Sequence, residues 1–342
     1  MRSYPVCPYC LNEISGVQGH PVAANGVGAT CSSAQRSIPP AYIRAFANGT
    51  PVLFNLFMGY AMHGKTCYLS SLLYSLHETD MYARAWERFS IIGLTRETLA
   101  SLKYTYIKPL TEGNLPPRTD TVLQEPLILQ FQRFPVKSPQ LRGLSRIAPR
   151  DAVMVFYDIG GEAFNLTRDI ANCLPVIARC NPLVFLVDLP ALLEQAQKGG
   201  SPVGTELQVL VNNVLGALEQ LPRRKGKLQN DILVCFTKAD RMWGREAVFG
   251  PLSGRPPVEI PAPELIPAYL GELENYSELV GRYLQQNYPP FYNLLHNNFR
   301  RVRFVAVSSL GGEPDWNNSL AAIRPMGVFD SIFWSLRLNG LL

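Results

Sequence analysis

Apolar and polar positions fall into two textures along the chain. Residues 1–48 mix Cys, Gly, Ser and Pro without a long periodic stretch, which describes a small segment held by something other than a core of its own. From Pro51 onward, short apolar runs alternate with amphipathic stretches. The run PVLFNLFMGY predicts a buried strand, and LSSLLYSLH predicts a helix with one apolar face. Four further runs, AVMVFYDIG, PLVFLVD, DILVCFTKAD and VRFVAVSSL, are rich in β-branched and aromatic residues and predict strands. Between them, TELQVLVNNVLGALEQL and ENYSELVGRYLQQNYPPFYNLLHNNF predict helices, the second interrupted at Pro289 and Pro290. The alternation predicts an α/β architecture, a mostly parallel sheet with helices on both faces, spanning residues 49–342. Insertions at about 78–150 and 241–275 are expected to be loops and helices that decorate this core.

Composition narrows the field. The chain has 342 residues, 47% of them hydrophobic and only 17% charged, which suits a large packed core and excludes a disordered chain. A net charge of +5, spread along the chain, argues against nucleic acid as a partner. Apolar runs fall short of the roughly 18 residues of a membrane span, and MRSYPVCPYC lacks a signal-peptide core. The expectation is a cytoplasmic protein whose seven cysteines are thiols or metal ligands.

Gly59, Tyr60, Ala61, Met62, His63, Gly64, Lys65 and Thr66 fit G-x-x-x-x-G-K-[ST] between a predicted strand and a predicted helix. Such a loop wraps its backbone N–H groups around phosphate oxygens at a helix N-terminus. Lys65 is expected to reach the β- and γ-phosphates, Thr66 to bind Mg²⁺, and Cys67 to follow on the helix beside the nucleotide. His63 is most simply a solvent-facing side chain, and His77 and His296 are expected to be ordinary helix residues.

The base-binding equipment comes later in the chain. Thr237-Lys238-Ala239-Asp240 ends a predicted strand and resembles the Asn/Thr-Lys-x-Asp motif of P-loop GTPases. A carboxylate there accepts hydrogen bonds from guanine N1–H and its exocyclic amine, a donor pair that adenine lacks, so Asp240 selects guanine. Lys238 is expected to lay its stem over the base. Asp158-Ile159-Gly160-Gly161-Glu162 fits D-x-x-G, with Asp158 holding Mg²⁺ through water and the Gly161 N–H sensing the γ-phosphate. Ser308, Ser309 and Leu310 stand where GTPases contact the guanine O6.

A first switch loop needs a threonine, and LPPRTDTV offers Thr119 and Thr121, either of which suits Mg²⁺. Arg118 stands three residues before Thr121, which resembles the spacing between the built-in arginine finger and switch threonine of heterotrimeric G-protein alpha subunits; the alternative is a solvated loop residue. Glu162 occupies the place of the glutamine that orients the attacking water. Glutamate accepts from water but cannot donate, which predicts slow or activator-dependent hydrolysis.

At the N-terminus, Cys7-Pro8-Tyr9-Cys10 has the spacing of a knuckle that presents two thiolates to Zn²⁺, with His20 and Cys31 as the remaining ligand candidates. A thioredoxin-like redox pair is the competing reading, and it lacks the strand-and-helix context. Cys67, Cys173, Cys180 and Cys235 lie on apolar elements and are expected to be buried.

Taken together, CPYC, GYAMHGKT, LPPRT, DIGGE, TKAD, SSLG and the tail MGVFDSIFWSLRLNGLL resemble the bacterial TRAFAC-clade GTPases with an N-terminal zinc knuckle, of the double-GTPase or conflict-system type. The resemblance implies a Ras-like P-loop fold and a GTP/GDP switch with Mg²⁺ and Zn²⁺. It also implies operon-encoded protein effectors or regulators, with a nucleotide-dependent dimer as an option. Two other readings stay open, a GTP-binding interaction module with negligible hydrolysis and a P-loop phosphotransferase, which TKAD disfavours.

Overall fold

The computed structural model describes residues 5–14, 20, 28–60, 62–78, 86–118, 125–138, 146–160, 173–197, 204–221, 223–254, 260–317 and 319–342. In chain order the elements begin with a hairpin of β1 (Ala29–Cys31) and β2 (Arg36–Ile38), followed by α1 (Pro40–Ala47), β3 (Val52–Met58), α2 (Lys65–Glu78) and β4 (Ser90–Gly93). Then α3 (Arg96–Ala100) runs through a π-helical stretch (Ser101–Ile107) into α4 (Lys108–Thr111). Next come β5 (Leu127–Ser138), β6 (Arg146–Asp158), α5 (Leu174–Arg179), β7 (Leu183–Asp188), α6 (Leu189–Gln197) and α7 (Gly204–Ala217). A short hairpin of β8 (Arg223–Arg224) and β9 (Lys227–Leu228) leads to β10 (Ile232–Thr237). The chain closes with α8 (Ile266–Asn287), α9 (Pro289–Asn298), β11 (Val302–Ala306) and α10 (Asp330–Leu338).

Seven strands form one sheet in the order β11-β10-β7-β3-β6-β5-β4. The five strands from β11 to β6 are parallel, while β5 runs antiparallel to both β6 and β4. Side-chain alternation along the parallel strands sorts the core into two faces. Leu56, Val155, Phe185, Val234 and Phe304 face one side, with α5, α6, α7, α9 and the N-terminal segment. Phe57, Phe156, Leu186, Leu233 and Val305 face the other, with α2, the π-helical stretch and α10. Helix α8 serves both faces, through Leu270 and Leu273 on one side and Val280 and Leu284 on the other.

The 78–150 stretch departs from the sequence expectation, because it holds β4, β5 and the first part of β6 in the main sheet. LILQFQRF does alternate, with Leu127, Leu129 and Phe131 buried on one face, but Pro135 masked the pattern as a loop. A bulge between Phe131 and Phe134 bends β5, with Arg133 left-handed at φ 55°. Asp151 of β6 accepts from Arg133 N (3.1 Å) and from Gln130 Nε2 (2.9 Å), which holds the bulge.

The N-terminal segment shares the core of the sheet. Cys7, Leu11, Ile14, Cys31 and Ile38 are buried in one cluster with Tyr157, Ile159, Val176 and Ile177. Buried Tyr157 of β6 donates to Pro8 O (2.7 Å), and Tyr42 of α1 donates to Val6 O (2.5 Å). An ion pair between Arg36 and Glu125 ties the β1–β2 hairpin to the chain just before β5. No helix among the described residues is long and apolar enough to cross a membrane.

Candidate functional site

Because β3, β6, β7 and β10 are parallel, the loops that follow them open on one edge of the sheet, where ligands of open α/β sheets sit. The loop after β3 is shaped by close approach. Gly59 has φ 153°, and a Cβ there would lie 2.6 Å from Leu186 O of β7, so no side chain fits. Gly64 adopts φ 78° immediately before α2 begins at Lys65. Met62, also left-handed at φ 66°, is 84% exposed. Ala61 lies outside the described residues.

Lys65 is 6% exposed, and its ammonium donates to Gly59 O and Tyr60 O, both at 2.8 Å. Burial pulls its pKa from 10.5 to about 8; Asp158 opposes that shift and Arg118 adds to it. Arg118 is thus electrostatically close to the loop lysine, although its side chain is exposed. Thr66 Oγ1 donates to Asp158 Oδ2 at 3.3 Å, pairing the two oxygen ligands expected for Mg²⁺. A hydroxyl beside a carboxylate that is only 3% exposed is a hard, anionic donor set that fits this cation. Thr119, Thr121, Gly161 and Glu162 lie outside the described residues, so the switch threonine and the water-orienting position are not placed.

His63 corrects the solvent-facing expectation. Its Nδ1 is 3.0 Å from Leu186 O, and its ring meets Tyr60 edge-on at 5.6 Å between centroids. Burial lowers its pKa below the usual histidine value, with Leu186 O and Asp188 opposing. The turn that brings Gly59 against Leu186 also directs His63 inward, which a one-dimensional motif does not reveal.

Thr237, at the end of β10, locks this loop to the sheet. Its Oγ1–H is directed at His63 O (2.9 Å) and Val187 O (3.2 Å), so one hydroxyl joins the loop after β3 to the ends of β7 and β10. Lys238 follows in a left-handed conformation (φ 56°) and pairs with Asp188 at the end of β7. Asp240 lies on a 3₁₀ turn, Ala239–Met242. A cleft there is lined by Gly64 and Cys67, by Thr237, Lys238 and Asp240, and by Ser309 and Leu310. Three separate motifs of the sequence therefore meet around one cavity. Cys67 lines it rather than sitting in the core, and burial pushes its thiol up to about 11. Cys173, Cys180 and Cys235 are buried, as expected.

The loop after β11 is fixed by its own bonds. Ser308 exchanges backbone hydrogen bonds with Met326, and its Oγ accepts from Gly311 N (3.0 Å). The Ser309 hydroxyl is buried with no hydrogen-bond partner among the described residues. Glu313 pairs with Arg241 Nε at 2.7 Å, joining this loop to the one that carries Asp240. His77 is exposed on α2, while His296 stacks on Tyr292 within α9, its ring centroid 4.1 Å away.

On the opposite side of β6, Cys7, Cys10, His20 and Cys31 converge, with their ligand atoms all within 4.8 Å of one another. Cys10 Sγ is 3.2 Å from His20 Nε2, and Tyr9 N donates to Cys7 Sγ at 3.4 Å. His20 is only 2% exposed although it sits in a polar, glycine-rich stretch. Burial pushes the Cys7 thiol up to about 12, so a thiolate there calls for a cation beside it. Three sulfurs and one imidazole in a compact group are a donor set that fits tetrahedral Zn²⁺.

No family model matches this chain, and no curated protein matches it. Among solved structures it is similar to the GTPase-like domain of S. cerevisiae Ski7 bound to GTP, at 14% identity and a TM-score of 0.40 over 87% of this chain and 52% of that one. The same domain bound to GDP and inorganic phosphate matches at 15% identity and a TM-score of 0.39, again over 87% and 52%. The signal recognition particle receptor SRb-GTP/SRX complex from Chaetomium thermophilum matches at 13% identity and a TM-score of 0.29, over 78% of this chain and 93% of that one. The chain spans about half the length of the Ski7 chains it matches (52%). Its sheet order and the loop–helix turn at Gly59–Lys65 make it an α/β fold, a mostly parallel sheet with helices on both faces and a glycine-bounded loop before α2, with a small N-terminal Cys/His segment.

Proposed function

We propose that the chain is a guanine-nucleotide switch that hydrolyses GTP to GDP, with residues 49–342 as the nucleotide domain and residues 1–48 as a zinc-bearing segment. The observation that carries this reading is the single cleft shared by Gly64 and Cys67, by Thr237, Lys238 and Asp240, and by Ser309 and Leu310. The phosphate loop, a base-selective carboxylate and the Ser-Ser-Leu loop are its three walls. Asp240 accepts from guanine N1–H and the exocyclic amine, and adenine would leave that carboxylate unpaired at a cost of about 1–3 kcal/mol.

In the phosphate half, Lys65 exchanges the Gly59 and Tyr60 carbonyls for phosphate oxygens, and the added negative charge restores its ordinary basicity. Thr66 and Asp158 are the residues to hold Mg²⁺, which when bound neutralises phosphate charge. Glu162 accepts a hydrogen bond from the attacking water. As the water oxygen adds to the γ-phosphorus, the bond to the bridging β-oxygen breaks, and the water's protons pass to a phosphate oxygen and to solvent, leaving GDP and inorganic phosphate. Arg118, whose charge is felt at Lys65, is the candidate arginine finger to stabilise the developing charge. Cys7, Cys10, His20 and Cys31 hold Zn²⁺ as a structural ion. Protein effectors or regulators read the nucleotide state, as the resemblance to conflict-system GTPases implies.

A second reading, a GTP-binding module with negligible turnover, is favoured by the glutamate at 162 in place of a residue that can both donate and accept. Competition of GTP, GDP and ATP against a fluorescent guanine nucleotide, with Mg²⁺, tests the proposal. Displacement by GTP and GDP but not by ATP is the expected result. Equal displacement by ATP, or no binding, overturns it. Single-turnover hydrolysis then separates the switch from the module.

A further inference from the structure

Asp188 belongs to none of the motifs above, yet it pairs with Lys238 of TKAD, a residue of the cleft lining. It ends β7, and its side chain is 13% exposed. One carboxylate oxygen, Oδ1, accepts from Ala191 N (3.1 Å) at the start of α6. The other, Oδ2, accepts from Lys238 Nζ at 2.5 Å, across 50 residues of sequence. Strand pairing brings the two residues close, because Thr237, the residue before Lys238, is the register partner of Asp188 on β10 and β7. Lys238 itself is held by its backbone, left-handed between the Thr237 bridge and an Ala239 N to Val307 O bond of 3.1 Å. Lys238 lines the same cleft as Asp240.

We infer that Asp188 is a positioning residue for nucleotide binding, acting through Lys238 to hold the lysine stem in the plane where the guanine ring stacks. The inference rests on the guanine-nucleotide reading of this cleft. The physical case is entropic. A lysine side chain carries about 2 kcal/mol of rotamer freedom, and a stem that is already fixed does not lose it again on binding. The pair also orients the ammonium away from the base, so the face offered to guanine is the apolar methylene run. The pair is also better shielded than the neighbouring Arg241–Glu313 pair, whose side chains are 39% and 63% exposed against 33% and 13% for Lys238 and Asp188.

The test is GDP affinity and GDP release in Asp188→Asn, which keeps an oxygen for Ala191 N and removes the charge. About tenfold weaker binding is expected, carried by faster release, with the thermal midpoint of the nucleotide-free protein close to wild type. In a Lys238→Met background the same substitution should change GDP affinity less than about twofold, because its route of action is gone. Unchanged GDP affinity in Asp188→Asn overturns the inference, and so does a full tenfold loss in the Lys238→Met background. Asp188→Ala, which removes the helix cap as well, should lose both affinity and stability; if it loses stability alone, the role is structural and the inference fails. Failure of wild type to bind GDP in preference to ADP instead overturns the nucleotide reading itself.

Discussion

Lys65 carries an electrostatic strain that a phosphate would relieve. Its ammonium is buried against two carbonyls, and its pKa falls to about 8 from an ordinary 10.5. Between those values the unfolded chain holds a proton that the folded chain has released. Folding stability therefore rises as pH climbs from about 8 to about 10.5 and is lowest, for this residue, below pH 8. The contribution is on the order of 3 kcal/mol across the window. Urea unfolding of wild type against Lys65→Met isolates it, since the cysteines and tyrosines titrating nearby are common to both chains. The difference in stability should narrow as pH rises, and saturating GDP should abolish the pH dependence by raising the lysine back. A difference that is flat from pH 7 to 10.5 would sink this account. The same scale explains what the motif hid at His63. The pattern marks that position only as variable, whereas the fold brings both Gly59 and the His63 ring against Leu186 O.

At the scale of elements, β6 joins two sites. Its Tyr157 donates to Pro8 O, inside the CPYC turn, and the next residue is Asp158, paired with Thr66. Removing the Tyr157 hydroxyl leaves Pro8 O buried without that donor and should cost about 1–2 kcal/mol. Tyr157→Phe is thus expected to lower the urea midpoint and to speed zinc release to a chelating dye, with the Cys₃His ligands untouched. Release at the wild-type rate would separate the metal segment from the strand. The elements were legible to different degrees. TKAD, the glycine loop and the five buried strands announced themselves by apolar runs ending in characteristic residues. Strands β4 and β5 did not, because a bulge with left-handed Arg133 and a proline inside β5 interrupt the period that marks a strand. Asp188 had a weak signal, an acid ending the apolar run PLVFLVD, but its partner could be found only by pairing β7 with β10.

For the whole molecule, the N-terminal segment covers one face of the sheet rather than extending from it. Cys7, Leu11, Ile14, Ala29, Cys31 and Ile38 are all buried with side chains of β6 and α5. Deleting residues 1–38 uncovers Tyr157, Ile159, Val176 and Ile177 and removes the Arg36–Glu125 tie. A chain starting at Pro39 is expected to aggregate or to lose its cooperative transition, read by gel filtration and calorimetry. A monomer with an unchanged melting temperature would contradict the shared core. The sequence alone determined the alternation of strand and helix, the glycine-rich GYAMHGKT loop and the TKAD tetrapeptide, since each is written within a few consecutive residues. Only the tertiary structure decided that Cys7, Cys10, His20 and Cys31 converge, that β4 and β5 extend the sheet, and that Asp188 meets Lys238. Those outcomes depend on distances between residues far apart in the chain, which packing and strand register set and local pattern does not.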